Sequence, residues 1–124
     1  MNNYQELAMR TNDGKCTERL LTSMNIFEEQ NIDFGGVLNA SLGLSGEVGE
    51  FNDMIKKTIF HQSPFDEDHA KKELGDILWY VAMMCKSFNW NMNDIMEINI
   101  AKLKSRYPQG FDVIKANNRS KDDL

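Results

Sequence analysis

Apolar residues recur every three or four positions along most of the chain, and strand-like alternation of β-branched residues is absent. This spacing places apolar side chains on one face of an α-helix. We therefore predict an all-α protein. The pattern predicts four main helices, at about residues 17–30, 36–58, 66–88 and 94–107, and a shorter helical turn near residues 4–10.

Polar and helix-breaking residues separate these segments. The breaks fall at residues 31–33, at a loop around Pro64, at residues 89–93 and at Pro108. Asp66 and Asp68 are predicted N-caps of the third helix, because short acidic side chains accept hydrogen bonds from free N–H groups there. We expect one domain over residues 1–111, a four-helix bundle-like protomer, followed by a loose C-terminal tail over residues 112–124.

The third predicted helix is apolar on nearly every side. Its segment 74–85 reads LGDILWYVAMMC, in which Asp76 is the one residue that is neither apolar, aromatic nor glycine. A helix of this kind is normally buried on all sides, which one short bundle cannot achieve. We therefore expect helix faces to be covered by a second copy of the chain, in a homodimer or a dimer of dimers.

Four carboxylates share a simple geometry. Glu47 and Glu50 lie on the second predicted helix, and Glu73 and Asp76 lie on the third. Paired across the two helices, Glu47 with Asp76 and Glu50 with Glu73 have the same midpoint in the sequence, in the loop between residues 61 and 62. If the two helices form an antiparallel hairpin, the four side chains face one another at one level. Four anions so close repel strongly unless some are protonated or a cation binds. Oxygen ligands alone select a hard divalent ion, so we predict Mg²⁺, with Mn²⁺ as an alternative.

Glycines crowd the first of these pairs. Gly43, Gly46 and Gly49 stand within seven residues of one predicted helix, and each costs about 1 kcal/mol relative to alanine. This loss of helix stability indicates the close approach of another backbone or of a ligand.

Composition limits the partners. The chain has 14 basic and 19 acidic residues and a net charge of -5, which argues against a nucleic acid or an anionic membrane as partner. A small polyphosphate is still compatible, because a bound cation reverses the local field. No segment resembles a signal peptide or a membrane span, and two distant cysteines make no disulfide framework. We expect a cytoplasmic protein.

At these carboxylates the sequence resembles the MazG-like nucleoside triphosphate pyrophosphohydrolases of the all-α NTP pyrophosphatase superfamily. The family pattern is E-x-x-E, a variable spacer and E-x-x-D, and the flanks LGLSGEVGEF and KKELGDILWYV fit it. The later segment NIAKLKSRYPQGF is also similar, so the resemblance covers about residues 38–111.

The resemblance implies that a nucleoside triphosphate is hydrolysed between its α- and β-phosphates to a monophosphate and pyrophosphate, in nucleotide-pool house-cleaning. It implies that the four carboxylates hold Mg²⁺, which would activate a water molecule. We assign Glu50 as the group that takes the proton of that water. The implied phosphate-binding residues, which share one face of the last predicted helix, are Asn99, Lys102 and Arg106. The implied substrate-binding residues are Tyr80, His69 and Asn39.

Two alternatives stay open. One is a non-catalytic helical dimerisation module, in which lysines and arginines would form salt bridges with the four carboxylates. The other keeps the chemistry but restricts it to one substrate, such as dUTP, dCTP or phosphoribosyl-ATP, since spacing does not reveal a base pocket.

Overall fold

The computed structural model describes residues 2–111 and 113–117, and within those ranges it contains six helices and no β-strand. The all-α prediction is therefore confirmed. The helices are α1 (Asn3–Met9), α2 (Cys16–Glu29), α3 (Phe34–Phe60), α4 (Glu67–Ser87), α5 (Met92–Arg106) and α6 (Val113–Asn117). The four main helices predicted from the sequence are α2 to α5.

Local chemistry explains where the helices begin and end. Asp33, Asp66 and Asn91 cap α3, α4 and α5, each accepting a hydrogen bond from a first-turn N–H at 2.9–3.0 Å. The polar breaks contain left-handed residues, Asn31 with φ 59° and Asn89 with φ 62°. Asparagine adopts this conformation more readily than most residues, so the chain can reverse there.

The C-terminal prediction is only partly covered by the structure. Within the predicted tail, residues 113–117 form α6, whereas residue 112 and residues 118–124 lie outside the described residues. The last long helix, α5, ends at Arg106, just before Pro108. Within the described ranges, no helix combines the length and the apolar character needed to cross a bilayer.

Helices α3 and α4 form an antiparallel hairpin that provides most of the contacts between elements. At its open end the N–H of Asp33 donates to the carbonyl of Ser87 at 3.0 Å. Farther along, the Asn39 amide lies 3.7 Å from the sulfur of Met83, and the Tyr80 ring lies against the backbone at Gly43. Helix α2 packs on α3, with the rings of Phe27 and Phe34 stacked at 5.2 Å.

The apolar core of the protomer is small. Among the described residues, the buried apolar side chains are those of Ala40, Ala70 and Cys85, and no large side chain is fully buried. By contrast, Leu78 is 55% exposed and Trp79 is 58% exposed on α4. The hairpin is thus held by close helix contact, while much of its apolar surface stays uncovered.

Gly36 allows α3 and α4 to approach each other closely at the open end of the hairpin. A Cβ added there would collide with the Ser87 hydroxyl and would lie 2.6 Å from Oδ2 of Asp33, the residue that caps α3. We expect Gly36→Ala to lower the free energy of unfolding by about 1–3 kcal/mol, the usual cost of overpacking. Urea denaturation measures this change.

The neighbouring Gly35 provides the matched control. A Cβ at Gly35 meets only Oδ1 of Asp33, at an ordinary 3.7 Å, so Gly35→Ala should be neutral or slightly stabilising. Equal destabilisation by the two variants would contradict the packing described at this end.

Candidate metal centre

The hairpin brings together acidic residues that are distant in sequence. Glu47 lies on α3, whereas Glu73 and Asp76 lie one turn apart on α4. Each of the three offers a carboxylate oxygen, and these oxygens all lie within 4.8 Å of one another. Three of the four predicted carboxylates therefore converge on one point.

Glu50 takes a different place. It lies one turn beyond Glu47 on α3, outside the group of three, and lines a cavity that Glu73 also lines. The structure thus separates a tight group of three carboxylates from a fourth that stands at its edge and faces open space.

Two oxygens of the group lack hydrogen-bond partners. Oε2 of Glu47 and Oε2 of Glu73 are both shielded from solvent, and neither has a hydrogen-bond partner. The Glu73 side chain as a whole is only 13% exposed. A buried carboxylate oxygen without a donor is costly, so these atoms need either a shared proton or a cation.

The crowding of carboxyl groups raises the pKa of Glu47 to about 7. The largest cause is the adjacent Glu73 carboxyl, with which Glu47 can share a proton, followed by loss of hydration. The charges of Glu50, Glu73 and Asp76 act in the same direction. Every neighbour that contributes is acidic, so the site disfavours its own full ionisation.

No lysine or arginine among the described residues forms an ion pair with any of the four carboxylates. The basic partner closest to them is His69, whose Nε2 lies 3.6 Å from Oε1 of Glu73. This histidine carries a charge only when it is protonated. Three convergent oxygens without a fixed counter-charge form a suitable ligand set for a hard divalent cation.

The three predicted substrate-binding residues do not lie together in the structure. His69 lines the cavity beside Glu73. Tyr80 follows Asp76 by one turn, and its ring occupies the space where a Gly43 side chain would stand. Asn39 precedes Glu47 by more than two turns on α3 and lies beside Met83, so the structure does not bring it into the carboxylate group.

The predicted phosphate-binding residues share a face of α5. The side chains of Lys102 and Arg106 are half-buried, that of Asn99 is exposed, and the Arg106 guanidinium lies 5.8 Å from the centre of the Tyr107 ring. None of the three lines the cavity or contributes to the pKa of Glu47. In the protomer they are therefore apart from the carboxylate group.

The cavity itself was not predicted. Its volume is about 650 Å³, and it extends from Glu50 and Glu73 along α3 toward the loop at Pro64. Asp53 and Lys57 line it and form an ion pair of 2.8 Å, one turn apart on α3. Glu50, Asp53 and Lys57 are spaced so that they share one face of α3. In the sequence, this spacing cannot be distinguished from that of an ordinary solvent-exposed ion pair.

Comparison with known proteins relates most of the chain to one family. The model of the MazG nucleotide pyrophosphohydrolase domain matches residues 36–111. The Gene 37 protein of Mycobacterium phage L5 is 30% identical over 88 residues, which make up 68% of this chain and 77% of that protein. No solved structure matches the chain significantly.

The raised pKa of Glu47 predicts how stability depends on pH without divalent cations. The folded state holds an additional proton between the ordinary carboxyl pKa of 4.5 and about 7. The free energy of unfolding should therefore fall as pH rises through that window. Urea denaturation in a chelator at several pH values measures this dependence.

Glu47→Gln should reduce the fall in the free energy of unfolding with rising pH, because an amide does not titrate. Glu67→Gln is the matched control, since Glu67 is exposed and pairs with Lys71 at 3.3 Å. That variant should retain the wild-type slope. A wild-type stability that is constant or increasing between pH 5 and pH 7 would be inconsistent with the crowding at Glu47.

Proposed function

The chain belongs to the MazG nucleotide pyrophosphohydrolase domain family, and we propose that it hydrolyses a nucleoside or deoxynucleoside triphosphate to the monophosphate and pyrophosphate. The observation that carries this proposal is the convergence of three carboxylates that have no lysine or arginine partner among the described residues, beside a cavity of about 650 Å³. We propose nucleotide-pool house-cleaning as its biological role.

Glu47, Glu73 and Asp76 are the proposed ligands of Mg²⁺ or Mn²⁺, with Glu50 at the edge of the site. The unpartnered Oε2 atoms of Glu47 and Glu73 support this assignment, because a cation would compensate both. A bound Mg²⁺ would neutralise charge on the phosphate oxygens and lower the pKa of an attacking water molecule.

Glu50 is the proposed general base. It stands outside the tight group of three and faces the cavity, so its carboxylate remains accessible to a water molecule near the phosphates. The half-buried Glu47 and Glu73 are less accessible, and their mutual repulsion is what a cation would relieve. Asp76 is exposed as well, but it lies inside the group of three, so proton transfer is assigned to Glu50 and cation binding to the convergent group.

Asn99, Lys102 and Arg106 are proposed to bind phosphate oxygens. One amide and two cations on a single helix face suit a polyphosphate, and arginine can bind it through two parallel hydrogen bonds. Because α5 makes few contacts with the hairpin, we infer that substrate binding or assembly with a second chain brings this face to the carboxylates.

A non-catalytic interaction module is the alternative. It would require lysines or arginines paired with the four carboxylates, and the ion pairs of the described residues lie elsewhere or involve only His69. Restriction to a single base is a finer alternative within the hydrolase proposal. A panel of natural and modified nucleotides, assayed for pyrophosphate release with Mg²⁺, distinguishes these possibilities.

Glu73→Gln tests the catalytic proposal. The variant should lose about a hundredfold or more in turnover, since it removes a ligand of the cation that stabilises transition-state charge. It should fold as well as the wild type or be more stable, because a repulsion is relieved. Pyrophosphate release and thermal denaturation measure the two effects.

Glu67→Gln again serves as the control and should keep full activity. Wild-type protein that is inactive on every nucleotide, together with a Glu73→Gln variant that fails to fold, would favour the interaction module.

We also propose that the chain forms a homodimer, or a dimer of dimers, through the uncovered apolar surface of α4. Leu74 is 52% exposed, Leu78 55% and Trp79 58%. Monomeric soluble proteins rarely expose a contiguous apolar patch of more than a few hundred Å². A second copy is a natural cover, since a two-fold axis pairs the same patch with itself.

Light scattering after size-exclusion chromatography tests this assembly. The wild type should elute as a dimer or tetramer, and Leu78→Glu should reduce the oligomer, because a buried carboxylate at the interface is costly. Leu7→Glu is the control, since Leu7 on α1 is equally apolar and 54% exposed. A monomeric wild type would refute the assembly.

A further inference from the structure

We propose that the cavity beside the carboxylates receives the nucleoside part of the substrate, which lies on a floor formed by Gly46 and Gly49. This proposal rests on the proposed function, because it names the part of a nucleotide that this cavity holds. The cavity is continuous with the carboxylates through Glu50 and Glu73 and extends past Met54 to Pro64.

The two floor glycines differ from other glycines of α3. Gly36 and Gly43 each make room for a side chain of α4, Ser87 and Tyr80 respectively. By contrast, a Cβ added at Gly46 or Gly49 would have no atom within 4 Å. Packing inside the protomer therefore does not account for them, although glycine weakens a helix. Both line the cavity, where the absence of side chains leaves a flat surface for a ligand.

The charge of the cavity indicates which part of a nucleotide enters it. Its walls carry one lysine and one histidine against four carboxylates, which are Glu50, Asp53, Asp66 and Glu73. Asp53 is already paired with Lys57, and the proposed cation would compensate Glu73. Glu50 and Asp66 remain, so the excess is still acidic. Such walls repel a polyphosphate tail, so the phosphates belong at the cation and the uncharged nucleoside in the cavity.

The size and the lining of the cavity are consistent with a bound nucleoside. A volume of about 650 Å³ falls inside the range of roughly 300–1,000 Å³ typical of small-molecule sites. Met54 and Pro64 add apolar surface for a base or sugar, and the Asp53–Lys57 pair offers both an acceptor and a donor. A bare hydrated cation needs far less room.

Binding affinities measured by titration calorimetry distinguish recognition of the nucleoside from recognition of the phosphates. The ligands are the nucleoside and deoxynucleoside monophosphates, pyrophosphate, and Mn²⁺ alone, with Mg²⁺ present for the first two. The proteins are the wild type, the double variant Gly46→Ala/Gly49→Ala, and Gly49→Leu. Gly75→Ala is the control, because Gly75 lies on α4, also faces open space and does not line the cavity.

The expected result is selective. The double variant should bind its best monophosphate at least about tenfold more weakly, and Gly49→Leu more weakly still, while affinities for Mn²⁺ and pyrophosphate stay within twofold of wild type. Thermal stability should be equal or higher. Gly75→Ala should bind every ligand as the wild type does.

Two results would overturn the proposal. One is monophosphate affinity that is unchanged in both cavity variants or undetectable in the wild type. The other is an equal loss for pyrophosphate, which would place phosphates in the cavity. Because binding is measured without turnover, an inactive wild type that binds monophosphates selectively would refute the hydrolase alone.

Discussion

Helices α3 and α4 hold several carboxylates close enough together to repel one another, and this crowding determines the chemistry of the site. Glu47, Glu73 and Asp76 converge within 4.8 Å, and the described lysines and arginines make no ion pair with them. Hydrogen bonding with the adjacent Glu73 carboxyl, loss of hydration and the surrounding acidic charges together raise the pKa of Glu47 to about 7. Such an arrangement is unfavourable without a counter-charge, and the proposed divalent cation would supply that charge.

Close packing of α3 and α4 makes this convergence possible, but it leaves large apolar side chains of the hairpin exposed. Small residues let α3 and α4 approach, with Gly36 against Ser87 and Gly43 against Tyr80. The same hairpin buries few large side chains and leaves Leu78 and Trp79 exposed. The proposed site and the proposed assembly therefore involve the same helices, because α4 carries both two of the carboxylates and the exposed apolar side chains.

Much of the fold was readable from the sequence, because helix periodicity and capping are local. The cap at Asp66 and the breaks that contain Asn31 and Asn89 were predicted because they follow from short-range chemistry. The shared midpoint of the acidic pairs predicted that the carboxylates meet, although Glu47 interacts most strongly with Glu73 rather than with Asp76. The cavity and the place of the α5 cations depend on tertiary packing, which spacing does not encode. An Asp53–Lys57 pair looks the same in sequence whether it lines a cavity or a solvated face.

Anomalous X-ray scattering from crystals grown with Mn²⁺ tests directly whether the three carboxylates hold a cation. We expect a manganese peak between α3 and α4, with oxygens of Glu47, Glu73 and Asp76 at about 2.1 Å, the distance expected for a hard cation. Carboxylates that point apart into solvent, or that each pair with a lysine or arginine while no peak lies between the helices, would contradict it.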